Sequence, residues 1–586
     1  MDTIENTWVD SPAEDNADLI VAALAAGGID HLFFTSGSEI GFYQEAISKA
    51  KAKGHNNPIR LITVPLEHVN LNAALGYAMV SGKPAVTAAH VDCGTQHYGG
   101  AVHTAWRSGL PVLITAGFPP TAYAGTMKGS RDEGAHLWAQ ETYDQQGILR
   151  NYTKWDHKLA WQDNPGTIIS RAIQVARTEP AGPVYLTFPK ELTFLDVRTE
   201  NARFPSADQL GIPRAVAPDL AAIQEIAERL VRAKHPYVVV GASGRNPKTV
   251  PVLVELCELL GAGVVDAAQR AYLCFPFNHP LYQMQPMLPN ADAVLNLENE
   301  VPWVPGRNCP DGKAYVATVG HDPIKMRLPV YEFSSDIRIA ADPLLTIKAL
   351  TEAVKKIQKS DDKSAAADRA KKLGEASKKR IAASEAEAQS KSKNTPIDPI
   401  WVSYNLGKLV DDNCIVIDET LATPRVREFM HNSRPGSYFS NPGSSGGWSP
   451  GAALGAKLAA PERDVIAVAG DGFYQFGTPA YALWAANHHN APYMHVVYTN
   501  RSYSTGTMRV GQQYENSYAK KANYPGGYFD PPIDFGKEAE ATGAYGETVR
   551  DPAEVMAALQ RGLKEVRQNK RCAVISVWLK RLDGED

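Results

Sequence analysis

Cysteine is scarce in this chain. There are only six in 586 residues (Cys93, Cys257, Cys274, Cys309, Cys414 and Cys572), far apart and with no CxxC pair. That excludes a disulfide framework and a zinc knuckle, and it predicts mostly buried free thiols in a reducing compartment. An excess of one charge is lacking too. Sixty Lys and Arg stand against 64 Asp and Glu, for a net charge of −4, so nothing electrostatic favours nucleic acid or an anionic membrane as partner. No apolar run approaches the ~20 residues of a membrane-spanning helix. The polar, acidic opening MDTIENTWVDSPAED is no secretory leader, and a cytoplasmic protein is expected. The GxGxxG fingerprint of a dinucleotide-binding dehydrogenase is missing.

What is present is a series of strand-length apolar runs alternating with helix-spaced segments. Helical spacing over 16–27 leads to strands at 31–34, 60–65, 85–90, 110–117 and 182–189, with a helix over 70–81. Further strands fall at 236–240, 292–298 and 313–319, then at 412–418, 465–469 and 493–498. Such alternation predicts parallel sheets covered on both faces. The fold class is therefore α/β, with three doubly wound parallel-sheet domains over 1–200, 215–352 and 396–586. Residues 353–395 are rich in Lys, Ala, Glu and Ser and read as an exposed charged helical linker. In the middle domain, Arg245, Arg307 and Lys313 read as solvated surface charges rather than phosphate ligands. The first and last domains share strand–helix architecture, which hints at duplication.

The densest chemistry lies in 465–503. An apolar strand runs into Gly470-Asp471-Gly472, a helical segment of about fifteen residues follows, and a second strand ends in Thr499-Asn500. Polar groups at the carboxyl ends of two strands mark the ligand-binding edge of an open α/β sheet. Asp471 offers a hard carboxylate and Asn500 an amide oxygen, a ligand set for Mg²⁺ or Ca²⁺ held together with substrate phosphates. Gly472 admits a close backbone, and the amides opening the next helix can accept a phosphate.

These residues resemble the thiamine diphosphate (ThDP) and magnesium motif of the family that contains pyruvate decarboxylase, benzoylformate decarboxylase and acetolactate synthase. The family usually writes GDG…NN; here Thr499 replaces the first Asn. The resemblance implies metal ligands Asp471, Asn500 and the Ser502 carbonyl, with Gly470, Gly472, Phe473 and Asn500 about the cofactor. Glu67 to Gly76-Tyr77-Ala78 is similar to the family's E…GYA element. It implies that Glu67 hydrogen-bonds the aminopyrimidine N1′ and favours the tautomer that takes the thiazolium C2 proton. Ser38 in Gly37-Ser38, and His90, 23 positions after Glu67, match substrate-contacting residues of benzoylformate decarboxylase. Ala139-Gln140-Glu141 is similar to a segment of acetolactate synthase whose glutamine lies near the thiazolium.

Glu419-Thr420 resembles the family's cofactor-contacting turn, and 444–455 the segment supporting the V-shaped cofactor. Where the family places a Leu, Met or Ile wedge, an ungapped alignment puts Gly446 and a one-residue gap puts Trp448. The paired histidines of pyruvate decarboxylase are missing. The resemblance implies an enzyme making or breaking a C–C bond beside a carbonyl, by decarboxylation of a 2-oxo acid, carboligation, or both. It implies ThDP and Mg²⁺, and a homodimer or homotetramer with active sites at subunit interfaces; FAD occurs in some members but is unsupported here. A 2-hydroxyacyl-CoA lyase, an FAD-linked 2-oxo acid oxidase and a catalytically silent regulatory homologue are the alternatives.

Overall fold

The computed structural model describes residues 8–197, 202–268, 270–421 and 423–584. Its strands follow the apolar runs. In chain order they are β1 (Val9–Asp10), β2 (His31–Phe34), β3 (Arg60–Thr63), β4 (Ala85–Ala89), β5 (Val112–Phe118), β6 (Asp156–Lys158), β7 (Val184–Pro189) and β8 (Arg203–Phe204). Next come β9 (Pro236–Val240), β10 (Gly263–Asp266), β11 (Ala293–Leu297), β12 (Tyr315–Gly320) and β13 (Ile337–Ala340). The last are β14 (Cys414–Glu419), β15 (Tyr438–Ser440), β16 (Asp464–Gly470), β17 (Met494–Thr499), β18 (Tyr545–Val549) and β19 (Ala573–Trp578). β1 and β8 form a small antiparallel ribbon.

The remaining strands make three sheets, and every pairing in them is parallel. Central strands such as PYVVV in β9 are buried along their whole length, which is why their sequences show runs and no alternation. The first sheet has the order β3-β2-β4-β5-β7-β6 and the last β15-β14-β16-β17-β19-β18. Counted within each domain both read 2-1-3-4-6-5, so the two outer domains share one topology. The middle sheet reads β10-β9-β11-β12-β13. In each sheet the direction of winding reverses between its first and third strands, and the crevice there is where such sheets bind ligands.

The outer domains meet through two helices. Glu67–Ser81 is almost wholly buried and packs on Ser449–Ala459 with backbones nearly touching. A Cβ on Gly76 would fall 2.1 Å from the Ala452 carbonyl oxygen, and one on Gly455 would fall 1.8 Å from that of Ala73. Only glycine allows this approach.

The charged stretch expected as an exposed linker is helical but docked. Helix Ser360–Ser390 receives Gly261, where a Cβ would meet the Ala366 carbonyl at 2.1 Å. Arg369 donates to Leu260 O (2.6 Å) and Ala233 O (3.3 Å) in the middle domain. Near its far end Glu387 accepts from Arg425 of the last domain (2.6 Å). Arg245 is likewise no solvated charge: it makes a two-pronged ion pair with Glu179 of the first domain at 2.8 and 3.0 Å. That pair closes much of the crevice of the middle sheet, leaving a cavity of about 90 Å³. Cys257, Cys274, Cys414 and Cys572 are buried, Cys309 is half-buried and Cys93 is exposed, and none of the six is bonded to another.

Candidate active site

A cavity of about 640 Å³ opens over the carboxyl ends of β14, β16 and β17. Its floor is built from Thr420, Gly470, Asp471, Gly472, Asn500 and Ser502. Gly470 pairs with Tyr498 in the register of β16 and β17, so Asp471 and Asn500 leave neighbouring strands close together. Asp471 is 2% exposed. Its carboxylate accepts from Gly472 N (2.9 Å) and from Arg501 N. Burial nevertheless pushes this carboxyl up to about 7, against those two amides. A buried carboxylate in that state is the position a cation would relieve. Asn500 Oδ1 accepts from Ser502 N and Ser502 Oγ, both at 3.0 Å.

Among the described residues no group of three or more His, Cys, Asp or Glu is placed to hold a metal ion. A cation here would therefore be held by one carboxylate, an amide oxygen and a carbonyl, with phosphate oxygens completing the shell. Two helices begin at the cavity. Asp471–Phe476 replaces the first part of the single helix expected, and Ser504–Gln513 starts beside Tyr503. Their opening amides, with Thr420, suit a diphosphate. The donor set fits a metal-bound diphosphate.

Glu419 is 3% exposed, and burial raises its carboxyl above the ordinary range. It accepts from Trp448 N (2.9 Å), Ser449 N (2.8 Å) and Asn441 Nδ2 (2.9 Å). It thereby caps the start of the Ser449 helix and fixes the 446–449 loop against the cavity wall. Neither residue considered for the wedge lines the cavity. The Trp448 ring is wholly buried in the core. Gly446 backs onto aromatic rings: a Cβ there would lie 2.5 Å from Phe473 Cδ1 and 3.0 Å from Phe476 Cδ2. Phe473 itself faces the cavity.

A second constellation lies over the first sheet, at the matching reversal between β2 and β4. Glu67 opens its helix, three residues earlier than the spacing predicts, and is 5% exposed. Burial raises its carboxyl, so a protonated, hydrogen-bond-donating form is accessible nearer neutrality. Glu67 Oε2 is 3.4 Å from His97 Nδ1, and Oε1 faces Gly94, where a Cβ would lie 2.7 Å away. His90, just past β4, shares that glycine's other side. Ser38 follows β2 and donates to Glu39 Oε2 (2.9 Å), which also stands 2.7 Å from His90 Nδ1. Ser38, Glu67 and His90 thus come together.

Gln140 ends a short helix with its Oε1 buried and unpartnered, and it has no hydrogen bond to Ser38, Glu67 or His90. Gln145 reaches that neighbourhood instead, donating to Gly117 O at 2.9 Å, and Gly117 packs on Glu39. Glu39 and Gln145 were not singled out by sequence. Glu39 adjoins Ser38, but its tie to His90 exists only through the fold.

Residues 15–148 match the family model "Thiamine pyrophosphate enzyme, N-terminal TPP binding domain", and residues 422–577 match "Thiamine pyrophosphate enzyme, C-terminal TPP binding domain". The chain belongs to the thiamine pyrophosphate (ThDP)-dependent enzymes. Among curated relatives, benzoylformate decarboxylase of Pseudomonas aeruginosa is 27% identical over 446 residues, 73% of this chain and 76% of that protein. Acetolactate synthase of Bacillus subtilis is 24% identical over 568 residues, 93% of this chain and 90% of that one. Among solved structures, the thiamine diphosphate-dependent 4-hydroxybenzoylformate decarboxylase of Rhodococcus jostii RHA1 superposes with a TM-score of 0.73 at 22% identity. It covers 97% of this chain and 99% of its own, and supports the fold. No helix among the described residues is long and apolar enough to cross a membrane.

Proposed function

We propose that this enzyme decarboxylates a 2-oxo acid of the benzoylformate class with ThDP and Mg²⁺, and that two copies of the chain complete each site. The carrying observation is that two half-sites occupy the same reversal point on two sheets of identical strand order. One offers an acid-base carboxyl and a Ser–His pair; the other is a phosphate- and cation-suited cavity. Residues lining that cavity run from Lys391 to Leu582, and none comes from the first domain. Glu67 of a second copy would supply the missing wall, so a homodimer, or a pair of dimers, is the working unit.

Bound ThDP supplies the carbanion and the electron sink. Asp471, Asn500 and the Ser502 carbonyl would hold the cation, while the opening amides of the Asp471 and Ser504 helices would orient the diphosphate. Glu67, its carboxyl raised by burial, would share a proton with the cofactor's aminopyrimidine nitrogen. Ser38 and His90 receive the substrate's carboxylate and carbonyl end and move a proton there. Free thiols fit a cytoplasmic setting.

Calorimetric titration with ThDP and Mg²⁺, followed by CO₂ release from benzoylformate and from pyruvate, tests the reading. Magnesium-dependent binding with turnover of benzoylformate is expected. Binding without CO₂ from either acid would overturn the decarboxylase reading in favour of a lyase or a silent homologue.

A further inference from the structure

Glu39 is the most unusual buried group near the proposed substrate end. Its side chain has no exposure. One oxygen, Oε2, accepts from the Ser38 hydroxyl at 2.9 Å and lies 2.7 Å from His90 Nδ1, a ring nitrogen that has no hydrogen-bond partner of its own. The other, Oε1, is buried with no partner. Burial alone would raise this carboxyl; His90 and the Ser38 hydroxyl outweigh it and hold it below the ordinary range. A half-satisfied buried carboxylate costs stability that an amide or an alkyl group of similar size would not.

The packing leaves it little choice of position. A Cβ on Gly37 would fall 2.8 Å from the His90 ring, and one on Gly117 would fall 2.5 Å from Glu39 Cβ. Ring and carboxylate are therefore pressed together by two side-chain-free positions. The charged groups facing His90 are Glu39 and, more remotely, Glu67.

We propose that Glu39 is a positioning residue that keeps the proton of neutral His90 on Nδ1, leaving Nε2 as the nitrogen available to the substrate, and that it also orients Ser38. This deepens the reading of Ser38 and His90 given above and rests on it. The logic is that of any carboxylate behind a catalytic imidazole: an acceptor at one ring nitrogen selects the tautomer and frees the other nitrogen for proton transfer.

The test uses full-length protein with ThDP and Mg²⁺, labelled with ¹⁵N in its histidine rings, with His90 assigned from its disappearance in His90→Ala. At pH 8 the wild type is expected to show one His90 tautomer, protonated on Nδ1. Glu39→Gln is expected to mix the tautomers and Glu39→Asp to restore the wild-type pattern at least in part. A wild-type ring protonated on Nε2, or a Glu39→Gln spectrum identical to wild type, would overturn the proposal. This readout needs no substrate, so it stands or falls separately from the decarboxylase reading.

With benzoylformate as probe, Glu39→Gln is expected to lower kcat about 10–100-fold with KM changed little. Adding Glu39→Gln to His90→Ala should cost much less than Glu39→Gln costs alone, the remainder being its effect through Ser38. Additive losses would overturn the proposal. ThDP affinity unchanged in Glu39→Gln separates positioning from a folding defect, and a loss of affinity equal to the loss of kcat would count against it.

Discussion

Gly455 and Ala73 lie so close that a Cβ built on the glycine would stand 1.8 Å from the Ala73 carbonyl oxygen. The obstacle is backbone, which cannot swing aside as a side chain can. Gly455→Ala must push the Glu67 and Ser449 helices apart, at about 1–3 kcal/mol or more. A lowered thermal midpoint is expected, together with weaker ThDP binding, since the same helix carries Glu67. Differential scanning calorimetry with and without ThDP checks both; an unchanged midpoint would contradict the packing described.

Asp471→Asn should separate cofactor binding from folding. The amide keeps an oxygen for one backbone N–H but loses the charge a cation needs. Magnesium-dependent ThDP affinity should fall about 10–100-fold or more, while thermal stability without cofactor holds or rises, because a buried carboxyl pushed up to about 7 is removed. Titration calorimetry and a melting curve suffice.

Gly446 and Phe473 make a reciprocal pair. Gly446→Leu puts its Cβ 2.5 Å from the Phe473 ring, so the single variant should lose stability and cofactor affinity. Adding Phe473→Ala opens the space, and the double variant should recover much of both. If it is no better than Gly446→Leu alone, the clash lies elsewhere.

His495 is wholly buried in β17 with neither ring nitrogen bonded, and burial lowers its pKa from 6.5 to about 3. Between those values the unfolded chain takes up a proton that the folded one refuses. Its contribution to stability is therefore complete above pH 6.5 and lost progressively as pH falls toward 3, by up to ~1.4 kcal/mol per pH unit. Urea midpoints measured from pH 7 to pH 5 should fall, and the slope should flatten in His495→Phe.

Eleven strands were legible because strands buried on both faces are written as unbroken apolar runs; β10, β13, β15, β18 and β19 were not read from the sequence, although β19 is itself an apolar run. β6 was not: Asp156-His157-Lys158 is an edge strand with no apolar residue, so only pairing with β7 makes it a strand. The helix after Gly470 reads as one segment, yet it breaks at Gly477-Thr478-Pro479, where Thr478 has φ +44°. The break is written locally, since Pro479 cannot continue the preceding helix and opens the next one, and Pro450 packs on Gly477.

At the site, Asp471, Asn500 and Glu67 were legible because their chemistry is local to strand ends. Glu39 and His90 are 51 positions apart in sequence, and only the neighbouring of β2 and β4 joins them. Arg245 reads as a surface charge because its partner Glu179 belongs to another domain. Trp448, a candidate from alignment alone, has its ring in the core, while its own amide and that of Ser449 donate to Glu419.

Helix Ser360–Ser390 has a final consequence. Its 31 residues at ~1.5 Å each make a rod of about 46 Å, gripped at one end through Arg369 and at the other through Glu387. A coil would absorb the gain or loss of a residue, but a gripped rod converts it into a turn of about 100° and a slide of about 1.5 Å. The segment with the plainest composition in the chain is thus a ruler between two domains, tolerant of substitution along its exposed face and intolerant of any change in length.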